Sequence, residues 1–366
     1  MSARISPLFD ALLAEKGSDL HLSIGYPPLG RIRGKLTPLR EAPLTASELE
    51  AMLLELATPE QKLHITEELD LDFSYTYGTK ARFRANYFYK TTGLAAVFRC
   101  VPSKAQSLEE LNAPEVVRRL AERRGGLVLV TGPAGSGKST TLAAMLHHLN
   151  QTRHASLLTL EEPVEFVHEP AKAQVTHREI GPHAPSFAAG LRSAAREDVD
   201  VVLVGDLNTA EAMKEALKLA SSGVLVLASL YALSAQAALE RILHAFPEQE
   251  QGQMRGLLAD SLAGVLSQQL VRAADSKGRV LALEVLLGGG SVAAMIRQGQ
   301  VSQLGELMQA GQSKGMQTLD QDLERLVSAG SVTPEAALER AHDREAFART
   351  LQGLLPNFEL PEDVRA

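Results

Sequence analysis

The chain has 366 residues, with 37 basic against 44 acidic side chains, a formal charge of -7, 45% hydrophobic and 22% charged residues. That is enough for two domains with separate cores, and the balance is that of a soluble globular protein rather than a disordered polymer or a fibre. The acidic excess, with no basic run interleaved with aromatics, argues against nucleic acid as the main ligand; the single Cys100 forms no internal disulfide, so the cytoplasm fits best.

The opening segment MSARISPLFDALLAEK holds no apolar core of signal-peptide length. The longest apolar stretch, GVLVLASLYAL at 223–233, falls short of the roughly 20 residues of a membrane helix, so any membrane contact is expected to be peripheral. SELEAMLLELA reads as an amphipathic helix capped by Thr45 or Ser47. LDLDFSYTYG and ARFRANYFYK alternate with period two, with Gly78 and Gly93 as turn signals, and predict half-buried strands. Two prolines and mixed charge interrupt the pattern at 101–116, which predicts a linker between an α+β domain over 1–100 and a second domain over 117–366.

Beyond the linker, apolar runs at 127–131, 156–160, 199–205 and 224–230 alternate with helical segments, the pattern of a parallel sheet covered by helices on both faces. Helices are expected in the last third over QMRGLLADSLAGVLSQQL, VSQLGELMQAG, TLDQDLERLVSAG and PEAALERAH, the last opened by Thr333 and Pro334.

The first of those runs leads into Gly132-Pro133-Ala134-Gly135-Ser136-Gly137-Lys138-Ser139-Thr140, and a helical run, TTLAAMLHHLN, follows. This is the G-x-x-x-x-G-K-[ST] phosphate loop in its required context. Its glycines let backbone amides wrap a phosphate, Lys138 reaches the β- and γ-phosphates, and the Ser139 hydroxyl can ligate Mg²⁺. The second run ends in Glu161-Glu162, which places a carboxylate where it could orient the attacking water. The third ends in Val204-Gly205-Asp206, an acid of the Walker B type for Mg²⁺. Solvated strand ends are the competing reading of both. Arg82 and Arg84 share a strand face and Arg99 closes the next strand, which suggests an anion partner as readily as ordinary surface ion pairs; Arg178, Arg192 and Arg196 read the same way. His147 and His148 read as packing residues, and His64, His168, His177 and His183 lack metal-ligand spacing.

In sequence the chain resembles the PilT and PilU type IV pilus retraction ATPases of the secretion ATPase superfamily. The likeness is carried by SDLHLSIGYPPLGRIRGKL, ARFRANYF, VFRCVPS, GGLVLVTGPAGSGKSTTLAAML, LEEPVEFVH, HREIGP, FAAGLRSAAREDVDVVLVGD, ADSKGRVLALEVLLG and GMQTLDQDLERLVSAG, in that order. The resemblance implies a PAS-like N-terminal domain, a RecA-like ATPase domain with C-terminal helices, and a ring of six chains holding ATP and Mg²⁺ between domains. Glu161 would be the catalytic glutamate, and Arg82, Arg84 and Arg99 the nucleotide-facing arginines. The implied partners are further copies or a paralogous retraction ATPase and an inner-membrane platform protein, with pilin affected indirectly.

The chain departs from the family pattern at positions expected near the γ-phosphate. Asp206 stands where the family has Glu, with Leu207-Asn208-Thr209 after it; Val224 and Tyr231 stand where its two box histidines fall; Glu162 replaces Asp. A carboxylate withdrawn by one bond can cost on the order of a hundredfold in rate, so weak or partner-dependent turnover is expected. The alternative is a nucleotide-binding regulatory or structural ring subunit with little ATPase activity. The segment 294–298 keeps only part of the family's AIRNLIRE element, and an ordinary amphipathic helix explains it equally well.

Overall fold

The structure is a computed structural model that describes residues 3–78, 80–101, 105–355 and 358. It forms two compact units, one made of Met1–Lys104 with Pro163–Val167 and the other of Ala105–Glu162 with His168–Ala366.

The first unit runs α1 (Ser6–Ala14), β1 (Asp19–Ser23), β2 (Leu29–Ile32), β3 (Lys35–Pro38), α2 (Ala46–Leu56), α3 (Pro59–Glu68), β4 (Asp70–Tyr77), β5 (Ala81–Lys90) and β6 (Gly93–Val101). Its sheet is antiparallel in the order β3-β2-β1-β6-β5-β4. Of the two candidate caps for α2, Thr45 serves: its hydroxyl accepts from the Glu48 amide at 3.3 Å. Alternation along β5 sends Phe83, Ala85 and Tyr87 into the core, where Phe9 stacks on Phe83 at 4.1 Å. Arg82 and Arg84 thereby fall on the opposite face.

The second unit runs α4 (Glu115–Ala121), β7 (Gly126–Thr131), α5 (Lys138–Thr152), β8 (Ser156–Glu161), β9 (Gln174–Glu179), α6 (Phe187–Ala194), β10 (Val201–Val204), α7 (Ala210–Ser221), β11 (Leu225–Leu230), α8 (Ala235–His244), α9 (Glu248–Ser261), β12 (Leu262–Arg272), β13 (Arg279–Leu287), α10 (Gly290–Gln298), α11 (Leu304–Ala310), α12 (Leu319–Ser328), α13 (Pro334–Leu338) and α14 (Arg344–Leu354). Its sheet has the order β13-β12-β7-β11-β10-β8-β9, parallel throughout except for the β12–β13 hairpin. The continuous apolar runs are explained by double coverage. Leu127 and Leu129 of β7 pack toward α7, α8 and α9, while Val128 and Val130 pack toward α4 and α5.

Of the linker expected over 101–116, residues 102–104 lie outside those described. Leu108 and Val116 are buried in the core of the second unit.

One expectation is corrected. The helix expected over QMRGLLADSLAGVLSQQL is helical only in its first half, as α9, and from Leu262 the chain is β12. A buried apolar run has no periodicity that separates helix from strand. Here the vacant flank of β7 decides it, pairing Gly264 to Ser267 with Val128 to Thr131. A Cβ at Gly264 would come within 2.9 Å of the Leu120 side chain and 3.0 Å of the Leu286 carbonyl, so close packing of the strand requires glycine there.

Among the described residues no helix is long and apolar enough to cross a membrane. The segment 294–298 lies on α10, an amphipathic helix with Ile296 buried and Arg297 paired with Asp260.

Candidate functional site

The phosphate loop begins where β7 leaves the sheet. Gly132 has φ 144°, and a Cβ there would sit 2.3 Å from the Gln268 carbonyl and 2.6 Å from Ser136 Oγ; only glycine lets the loop turn so tightly against β12. Gly137, at φ 89°, is the left-handed N-cap of α5 and offers no side-chain cap. The first amides of α5 therefore keep their donor capacity, with no acidic residue in the first turn to compete. Lys138 Nζ folds along the loop and donates to the Gly132 and Pro133 carbonyls, each at 3.0 Å. Thr131 Oγ1 and Ser136 Oγ are buried without a hydrogen-bond partner at this turn. Buried donors converging on a glycine loop at a helix N-terminus fit a phosphate chain.

Sheet order brings the acids to the same edge. Strands β8 and β10 are parallel neighbours in the register Leu160–Val204, so Glu161 and Asp206 leave adjacent strand ends. Strand β11 alone separates β10 from β7, which puts Asp206 roughly 10 Å across the sheet from the loop. Glu161 is buried, with 8% of its surface exposed, whereas Glu162 is exposed. Asp206 is half-buried. Burial pushes its carboxyl above the usual carboxylate range, and the Asn208 amide at 3.0 Å, Arg241 and Lys138 pull it back. Ser139 in the first turn of α5 and Asp206 offer one hydroxyl and one carboxylate. Such oxygen donors suit Mg²⁺, which keeps several waters and takes further ligands from the phosphates.

Two residues at the loop carry no sequence motif. Gln268 of β12 is fully buried and its Nε2 donates to the Ser136 carbonyl at 2.7 Å, pinning the loop from the side. The available signal was a polar pair, Gln268-Gln269, inside an apolar run. Arg279 of β13 reaches the Gly135 carbonyl at 3.4 Å. Beside the loop lies a cavity of about 410 Å³ whose lining includes Gln106, Asn112, Thr140, Leu270 and Leu281.

The structure corrects the place of one departure from the family pattern. Val224 precedes β11 at the opposite edge of the sheet, where its carbonyl accepts from Gly126 at 3.1 Å. The six residues of β11 put it roughly 20 Å from Tyr231, so within this chain it lies at the end of the sheet away from the phosphate loop. Tyr231 does lie at the phosphate edge, about half exposed, with the Arg241 guanidinium over its ring at 5.8 Å.

The arginines divide. On the first unit Arg84 stands directly opposite Arg99, and Arg82 shares their face. Arg84 pairs with Asp72 at 3.1 Å and Arg99 with Asp19 at 2.9 Å. Arg178 and Arg192 are held by Glu197 and Glu211 at 2.7 and 2.5 Å. His148 bonds to Glu122 at 2.9 Å, while His147, His168 and His177 form a stack with spacings of 6.2 and 5.8 Å. No metal-binding group of three or more such ligands occurs among the described residues.

A phosphate loop springing from a buried parallel strand, with acids at the ends of two strands beyond its neighbour, defines a RecA-like P-loop ATPase fold. The chain belongs to the type II/IV secretion system protein family, which its sequence matches over residues 38–345, and within it to the type IV pilus retraction ATPases. It is 42% identical over 338 residues to the type IV pilus retraction ATPase PilT of Pseudomonas aeruginosa, covering 92% of this chain and 98% of that one. It is 41% identical to a twitching motility protein of Neisseria gonorrhoeae, covering 88% and 86%. The crystal structure of the pilus retraction motor PilT with bound ADP superposes with a TM-score of 0.88 at 36% identity, over 95% of this chain and all of that one. The smaller α+β unit is accordingly the N-terminal domain that accompanies the RecA-like domain in this architecture.

Proposed function

We propose that this chain is an ATP-hydrolysing motor subunit of the type IV pilus retraction class, serving twitching motility. The observation that carries the reading is the uncapped, glycine-walled turn at 132–139, with Glu161 and Asp206 at the same sheet edge. The loop amides and Lys138 hold the triphosphate, and Thr140 lies where the cavity lined by Leu270 and Leu281 receives the purine. When bound, Mg²⁺ screens charge on the transferred phosphoryl group, and Ser139 and Asp206 are the residues that would hold it. Glu161 orients the water. The face formed by Arg82, Arg84 and Arg99 supplies positive charge to phosphates in the assembled ring. Six copies, or copies mixed with a paralogous retraction ATPase, form that ring on the cytoplasmic side of the inner membrane. There it turns a platform protein and returns pilin to the membrane. The segment 101–116 joins the two working halves, 1–100 and 117–366.

Calorimetry with Mg-ATP, paired with steady-state turnover, tests the reading. Binding that Lys138→Ala removes, and turnover that Glu161→Gln removes while binding survives, is the expected pair of results. Absence of heat with any adenine nucleotide would refute it. A second reading rests on Asp206 and Tyr231: a ring subunit that binds ATP and regulates a competent paralogue. Tight binding without turnover, alone or mixed with such a paralogue, selects it.

A further inference from the structure

The turn from β11 into α8, residues 231–234, is tied at both ends. On the site side, Ser229 Oγ donates to the Gly205 carbonyl at 2.7 Å and the Leu207 amide donates to the Ser229 carbonyl at 2.9 Å, so β11 is fastened on both sides of Asp206. In the middle, Arg241 Nη1 donates to the Tyr231 carbonyl at 3.1 Å.

On the far side the ties lead away from the nucleotide. His342, in the loop before α14, places Nε2 3.1 Å from the Leu233 carbonyl. The Ala235 amide, first of α8, donates to Glu284 Oε1 at 2.6 Å, and Leu319, first of α12, borders the same cavity as that carboxylate. Glu284 is only 3% exposed, on the strand β13. A buried carboxylate facing the positive ends of two helices has few other stable arrangements. Asp320 completes the link by accepting from the His342 amide at 2.8 Å and the Asp343 amide at 3.2 Å.

Building on the motor reading above, we propose that Glu284 and His342 are positioning residues for ATP hydrolysis: they hold the 231–234 turn so that the C-terminal helices α12 to α14 and the Asp206 strand end move as one linked set. Neither touches the nucleotide. Their effect passes through Ser229 to Gly205 and Leu207, which flank Asp206. Next to the link, a cavity of about 190 Å³ bordered by Ser234, Glu284, Asp320 and His342 leaves room for the imidazole to withdraw and the turn to shift.

The test uses the full chain. His342 is exposed, so His342→Ala leaves the core intact; His342→Gln keeps a donor and serves as the conservative variant. For His342→Ala we expect an unchanged dissociation constant for Mg-ATP, within twofold, and a fall in kcat of about tenfold, with His342→Gln recovering much of it. Hydrogen exchange gives the second readout. Mg-ADP should change exchange at the amides of 319–322 and 342–346 in the native chain, and that change should vanish in His342→Ala although nucleotide still binds. Glu284→Leu, which removes the acceptor of the Ala235 amide, should do the same, and the double variant should be no worse than the more impaired single one. A kcat untouched by His342→Ala, a loss shared equally by His342→Gln, or a native chain that binds Mg-ADP without any response at those amides each overturns the proposal. A native chain that binds no nucleotide overturns the motor reading along with it, which separates the two failures.

Discussion

Two carboxylates at one sheet edge differ in reach and environment. Glu161 is buried at the end of β8, and Asp206 sits beyond Gly205 at the end of β10, half-buried and one carbon shorter than the Glu that the family resemblance leads one to expect there. If that missing carbon limits turnover, Asp206→Glu should raise kcat, by up to on the order of a hundredfold, with little change in KM; a steady-state assay that finds no gain removes Asp206 as the cause. Tyr231→His restores a titratable donor at the exposed phosphate edge, whereas Val224→His acts at the opposite end of β11 and should change turnover far less. His168 offers a test that needs no ligand. Burial first, then the like charge of His177 and His147, lowers its pKa from 6.5 to about 4. The unfolded chain thus takes up a proton that the folded one refuses. This contribution is complete above pH 6.5 and is lost as pH falls through 4, amounting to about 3 kcal/mol. Urea titrations between those limits should show that slope, and His168→Asn should flatten it. An unchanged slope would mean that another group carries it.

At the level of elements, the site is a strand, a loop and a helix whose order along the chain already dictates the geometry. The G-x-x-x-x-G-K-S spacing after an apolar run could be read in advance because each residue type answers one electrostatic need, and the cap at Thr333 is legible for the same reason, whereas for α2 the sequence offers Thr45 or Ser47 and the fold selects Thr45. Strand β12 was not legible. Its apolar residues satisfy a helical pattern as well as a buried strand, and only the open flank of β7 settles the matter. With β12 misread, Gln268 stayed hidden, since a glutamine acquires meaning only when its strand lies against the loop. The same applies to Val224 and Tyr231, which look like one motif until the strand between them places them at opposite edges. Gln268 now supplies a prediction. Its Nε2 is the buried donor to the Ser136 carbonyl, so Gln268→Leu strands that acceptor and should cost about 1–3 kcal/mol. ATP affinity should fall as the loop loosens. Thermal unfolding with and without nucleotide checks both, and a variant as stable and as tight as the native chain would show that the loop holds its own shape.

For the whole molecule, two units with separate cores imply that nucleotide need not be felt equally by both. The phosphate loop, the two acids and Gln268 all belong to the second unit, whereas Arg82, Arg84 and Arg99 form a face of the first. In that face Arg84 holds Asp72 in an exposed pair that contributes little and can yield to a phosphate, whereas Arg99 neutralises the buried Asp19 carboxylate. If the arginines serve nucleotide only within a ring, their response must depend on protein concentration, because assembly does. Hydrogen exchange under Mg-ATP should protect 132–142 and 201–209 at every concentration, whereas protection over 82–99 should emerge only where sedimentation shows assembled rings. Arg84→Ala should leave the first response intact, remove the second, and raise KM in the assembled state. Protection over 82–99 at dilutions where the chain is a monomer would instead place those arginines within a site made by one chain, and the ring would then be dispensable for binding.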